Sequence, residues 1–251
     1  MKKIATILRT LSEMKEAAEN GEINPSAYEK AFSAIADAST DHSDWCDPVI
    51  NIWKDALSSI GMPDADIRYT GCDCKDDGVS FTSRFIRESD LIEFLVAPPK
   101  PSTSIAVGEN GKELFQPWIV HKIGGIEVSS WMNLQNKSLS PLLRIAKEGD
   151  MGIWLVRKSN SNQVDTCVEL MNTESDILEE LKDAAEIGCE INWMNLQNKL
   201  KYAVEHLLYH ICHAIYRDLS DEYEYLRSEE SVMENAIANE YHFDENGNLH
   251  R

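Results

Sequence analysis

The sequence predicts an α+β protein in which an antiparallel β-meander packs against N-terminal and C-terminal helices. Apolar residues recur at helical spacing over the first 60 residues and again after Ser175, while the middle of the chain alternates apolar with polar. Turn-forming residues separate the alternating runs, as antiparallel hairpins require. Helices on either side of a β-rich middle define the class. The pattern reads as one domain over 1–251, with a helical segment at 1–62, a mainly β segment at 63–172 and a helical segment at 173–251.

Each element has a local cause. Ile4, Ile7, Leu8, Leu11 and Met14 predict a first helix with one apolar stripe. Asn24 caps a second, with Pro25 at its first position, where the missing N–H costs nothing. Tyr28, Ala31, Phe32 and Ile35 form its inner face, and Ile23 is placed to staple onto Tyr28. Asp47-Pro48 starts a third helix carrying Val49, Ile52, Trp53, Ala56, Leu57 and Ile60, which Gly61 ends. Val79, Phe81, Ser83 and Phe85 alternate as a half-buried strand, with 67–70 as its hairpin partner. Ser89 and Asp90 open a short helix stopped by Pro98-Pro99, and 98–112 has the composition of a connection or hairpin tip. Residues 153–156 and 164–170 predict a hairpin around the polar turn 158–163. A helix from Ser175 ends at Gly188, and 192–218 is a long packing helix with Leu200, Val204, Leu207, Leu208, Ile211 and Ile215 inward. Ser228 caps a last helix whose first turn holds Glu229 and Glu230, and Asn246-Gly247 signals a type I′ turn.

Composition narrows function. Forty-three acidic and 24 basic residues give a net charge of −19, which repels phosphate backbones and argues against direct nucleic-acid binding. A protein partner with a basic surface matches this charge better. No run approaches 18 uninterrupted apolar residues, so no membrane helix is expected. The start, Met1-Lys2-Lys3 and an apolar patch broken by Arg9 and Glu13, reads as a helix and not a signal peptide. The six cysteines are then expected as reduced thiols in a cytoplasm.

Two segments carry a family resemblance. Residues 67–85 contain Gly71, Asp77, Gly78, Ser80 and Phe81. Residues 216–247 contain Tyr223, Glu224, Tyr225, Leu226, Ser228, Glu230, Val232, Ile237, Ala238, Asn239, Glu240, Tyr241, Phe243 and Gly247. Both resemble a phage and bacterial family labelled "antitoxin of toxin–antitoxin stability system", although Cys74-Lys75-Asp76 departs from its first motif. The resemblance covers about a fifth of the chain. It implies a non-catalytic binding protein; taken with the acidic charge, the expectation is a phage or mobile-element protein in a bacterial host cytoplasm that neutralises a protein partner, as an antitoxin or an inhibitor of a host defence system. Physically, the motifs serve the fold: Asp77-Gly78 makes a tight turn, and Asn239 ends the last helix in the left-handed region.

Three constellations remain. Asp73, Asp76 and Asp77, with Asp221, Glu222, Glu224, Glu229 and Glu230, form the expected partner-binding carboxylates. The heptapeptide WMNLQNK occurs at Trp131–Lys137 and again at Trp193–Lys199, and Trp131 and Trp193 are its anchors for a partner or for self-association. His206, His210 and His213 share one helix side; a metal-dependent enzyme built on them is the rival reading, and a mixed surface and buried stripe the plainer one. No hydrolase elbow, P-loop or dinucleotide fingerprint is present, and no cofactor is expected. The oligomeric state stays open.

Overall fold

The computed structural model describes residues 7–69, 78–83, 85–97, 119–130, 139–148, 151–157, 164–170 and 193–250, for some of which, among them 154–157, 164–170 and 193–195, only the backbone is described. Its helices and small antiparallel sheets define an α+β fold. Backbone packing divides the chain into two compact units: 1–49 with 218–251, and 50–217. The sequence pattern suggests three consecutive segments of one domain, whereas these boundaries fall inside helices.

In the first unit, strand β1 (Arg9–Thr10) leads into helix α1 (Leu11–Glu19). The helix therefore begins seven residues later than the apolar stripe predicts. Thr10 and Glu13 explain the start. The Glu13 backbone N–H donates to the Thr10 hydroxyl, and the Glu13 carboxylate accepts from the Thr10 backbone N–H at 2.8 Å. That backbone hydrogen bond, foremost, holds the Glu13 carboxyl below its usual range. Leu11 and Met14 are buried as expected, but Ile7 and Leu8 are exposed. Helix α2 (Pro25–Thr40) follows, and its predicted cap is present: Asn24 Oδ1 accepts from Ser26 N at 3.0 Å.

The C-terminal part of this unit starts within helix α6 (Trp193–Leu226) and continues through α7 (Glu229–Ala238), β8 (His242–Phe243) and β9 (Leu249–His250). Ser228 caps α7 as predicted, its hydroxyl accepting from Ser231 N at 3.3 Å. The other end corrects an expectation. Asn239 is not left-handed (φ −99°); Glu240 is, at φ 51°. Tyr241 N donates to Ala236 O and Glu240 N to Ile237 O, a Schellman closure that requires the left-handed residue one position later. The two-residue turn is also corrected. Strands β8 and β9 pair with Phe243 opposite Leu249, around a five-residue loop 244–248 in which only Gly247 has a positive φ. A type I′ turn needs two consecutive residues with positive φ.

Strand β8 pairs on its other side with β1, Arg9 opposite Phe243. One apolar cluster closes the unit, drawing Leu11 and Met14 from α1, Ala31 and Ile35 from α2, Val232 and Ala236 from α7, and Phe243 from β8.

In the second unit, α3 (Asp47–Ser59) buries Trp53, Ala56 and Leu57 but leaves Ile52 58% exposed. Gly61, at φ +96°, closes this helix, and Met62 N donates to Leu57 O at 3.0 Å. Strands β2 (Asp66–Tyr69) and β3 (Val79–Thr82) pair as predicted, Ile67 opposite Phe81. The alternation stops early. The Asp64 carboxylate accepts from Ser83 Oγ at 2.6 Å and from Phe85 N at 3.2 Å, and Phe85 turns out to solvent. Helix α4 (Glu88–Val96) buries Leu91, Ile92 and Leu95.

Strands β4 (Ile119–Ile123) and β5 (Ile126–Ser130) form a hairpin around Gly124 and Gly125, both with positive φ. Helix α5 (Ser140–Glu148) was not anticipated, while the hairpin of β6 (Met151–Arg157) and β7 (Val164–Leu170) was. The described strands of this unit thus form separate two-stranded hairpins. Helix α6 is 34 residues long and extends eight residues beyond its expected end; its six predicted core residues are all buried. The predicted helix from Ser175 lies outside the described residues, as do 98–112 and the turn 158–163.

Candidate partner-binding surface

Charge is not spread evenly over the sequence. The first unit holds 19 acidic and 7 basic residues, a balance of −12 in 83 residues, leaving −7 for the 168 of the second. Its carboxylates are dense along the end of α6 and the start of α7. Asp221, Glu224, Glu229 and Glu230 are exposed, as is Glu234, while Glu222 is half-buried. The elements beneath them are firmly held. Arg227 lies between the two helices, and its guanidinium donates to Asp37 Oδ1 at 2.8 Å and to Thr40 Oγ1 at 3.3 Å. It also covers the Tyr223 ring at 5.5 Å, and that ring packs on Trp45 at 5.6 Å. Asn235 Nδ2 donates to Ser39 Oγ at 2.8 Å, tying α7 to α2.

The predicted carboxylates therefore differ in role. Glu229 is engaged within the molecule by the Lys15 ammonium, a contact that raises the lysine pKa. Asp221, Glu224 and Glu230 face solvent on helices whose orientation the Arg227 and Asn235 contacts set. Asp73, Asp76, Asp77 and Trp131 lie outside the described residues; Trp193 opens α6, its side chain also outside them. Lys15, Asp37 and Arg227 were missed by sequence reasoning, since each acts across about 190 residues or more of chain.

Several of the C-terminal motif residues are structural. Val232 and Phe243 are fully buried, Ser228 caps, and Tyr223 packs at the helix junction, whereas Ile237 is 73% exposed. Asp244 organises the last loop. Its carboxylate accepts from Asn248 Nδ2 at 2.8 Å and from the backbone N–H of Asn248 and Asn246, each at 2.9 Å. These bonds, the Asn248 side chain first, lower its pKa to about 2.

A pH dependence follows. With the folded value below that of the unfolded chain, Asp244 stabilises the loop above about pH 4 and stops doing so as pH falls toward about 2. In NMR, the amide shifts of Asn246 and Asn248 should titrate with a midpoint near 2. A midpoint near about 4, the ordinary aspartate value, would show that the three hydrogen bonds do not persist in solution.

The histidines form a mixed stripe. His213 is exposed and His206 half-buried under the Tyr202 ring at 4.1 Å, while His210 is 5% exposed and edge-on to Tyr209. Burial, then the neighbouring His206 and His213, lowers the His210 pKa and favours its neutral imidazole. Among the described residues no group of three or more His, Cys, Asp or Glu is arranged to hold a metal ion. The Cys212 thiol is pushed up to about 11 by burial, far from a thiolate nucleophile. Among the described residues no helix is long and apolar enough to cross a membrane.

No protein-family model, curated protein or solved structure matches the chain.

Proposed function

We propose that this chain is a non-enzymatic acidic binding protein that neutralises a protein partner, in the manner of an antitoxin or an inhibitor of a host defence system. The observation that carries the reading is the concentration of charge in the first unit, with Asp221, Glu224 and Glu230 exposed on two helices held in place by Arg227 and Asn235. Fixed carboxylates of this kind complement a cationic surface that otherwise grips nucleic acid, and they speed encounter with it. The resemblance of 216–247 to the antitoxin family points the same way.

Immobilised chain should retain a basic protein from bacterial host lysate at low salt and release it as salt rises past about 0.5 M, where the Debye length falls to a few Å. Reversing Asp221, Glu224 and Glu230 to lysine should weaken retention at least tenfold, and added DNA should compete for the retained protein. Retention indifferent to both salt and the triple reversal would overturn the reading.

A further inference from the structure

On α6 the face opposite the leucine core carries Tyr202, His206, Tyr209, His213 and Tyr216. The spacing is four, three, four, three, so the five lie in one row about 21 Å long at 1.5 Å per residue. Tyr202 is 54% and Tyr209 61% exposed, His213 is exposed, and His206 and Tyr216 are half-buried. A solvent face normally carries charge. This row has none of the chain's 43 carboxylates.

We propose that this row is the surface on which two copies of the chain meet, with their α6 helices antiparallel about a two-fold axis through Tyr209. Two observations favour a second copy over an unrelated partner. The row reads Tyr-His-Tyr-His-Tyr in either direction, so the axis sets Tyr202 opposite Tyr216 of the second copy and His206 within one residue, about 1.5 Å along the axis, of His213. An isologous contact demands that self-complementarity, and a foreign partner does not. Charge gives the second. Residues 199–217 hold Lys199, Lys201 and Arg217 against Glu205 alone, a balance of +2 in a chain of −19, and Lys201 and Glu205 pair at 3.8 Å. Two strongly anionic copies meet with least repulsion where the anions are missing. The alternating spacing of four and three is also the one at which paired helices interdigitate at a shallow angle.

The test is sedimentation equilibrium of the full chain over a concentration series at low and raised salt. The expected species has twice the 28.4 kDa chain mass, and its association strengthens as salt screens the like charges. That sign is opposite to the one expected for the basic partner, so the two readings fail separately. Tyr209→Asp faces two carboxylates across the axis and should weaken association at least thirtyfold with the circular dichroism unchanged; Tyr225→Asp, on another exposed tyrosine, should not. Tyr209→Cys should become cross-linked to itself by a short bis-maleimide beyond the wild-type background. A mass of one chain at every concentration overturns the proposal. So does a dimer that survives Tyr209→Asp, one that Tyr225→Asp abolishes equally, or a Tyr209→Cys chain that cross-links no more than wild type.

Discussion

A Gly247→Ala variant should lose about 3 kcal/mol of folding stability, from a left-handed backbone that costs an L side chain about 1–2 kcal/mol and overpacking that adds about 1–3. Gly247 has a φ of +72°, and a Cβ there would stand 2.1 Å from the carbonyl oxygen of Ala27. The obstacle is backbone in the first turn of α2, so no rotamer change relieves it. The loop also cannot withdraw without loosening Asp244, whose carbonyl oxygen accepts from Gly247 N at 3.0 Å. Urea denaturation of wild type and variant measures the difference. A loss below about 1 kcal/mol would mean that the loop is not seated on α2 in solution.

Trp53→Ala should cost about 3–5 kcal/mol, the usual consequence of deleting a fully buried large aromatic. Trp53 is 1% exposed on α3 beside Ala56 and Leu57. The neighbouring Ile52 provides the control, because it is 58% exposed. Ile52→Ala should stay within about 0.5 kcal/mol, as surface substitutions do. The sequence pattern places both residues on one apolar face. Equal losses for the two would restore that reading and contradict the structure.

The candidate surface was legible in part. Counting charge singled out these carboxylates, and the cap at Ser228 put Glu229 and Glu230 in the first turn of α7, but the predicted helix stops at 218, short of Asp221 and Glu224. The same count put Glu229 with its neighbours, whereas Lys15, 214 positions away, holds it inside the molecule. The histidine spacing gave a shared helix side correctly. It could not give the depth of each ring, which depends on how far that side rotates into the core.

Three kinds of feature were settled by the sequence alone: helix starts with a polar cap, helix faces with a long apolar period, and hairpins with alternating arms. Asn24, Ser228, the inner row of α6 and the β2–β3 pair belong here. Each arises from hydrogen bonds or periodicity within a few residues, which local chemistry suffices to specify. Only the tertiary structure decided that Arg9 and Thr10 form a strand where the apolar stripe predicts helix, that Phe85 faces water, and that Gly247 must lack a side chain. Those outcomes depend on Arg9 meeting Phe243, Asp64 meeting Ser83, and the last loop meeting Ala27. Such meetings bring together residues 19 to more than 200 positions apart, and no local pattern encodes which surface a face will find when the chain closes.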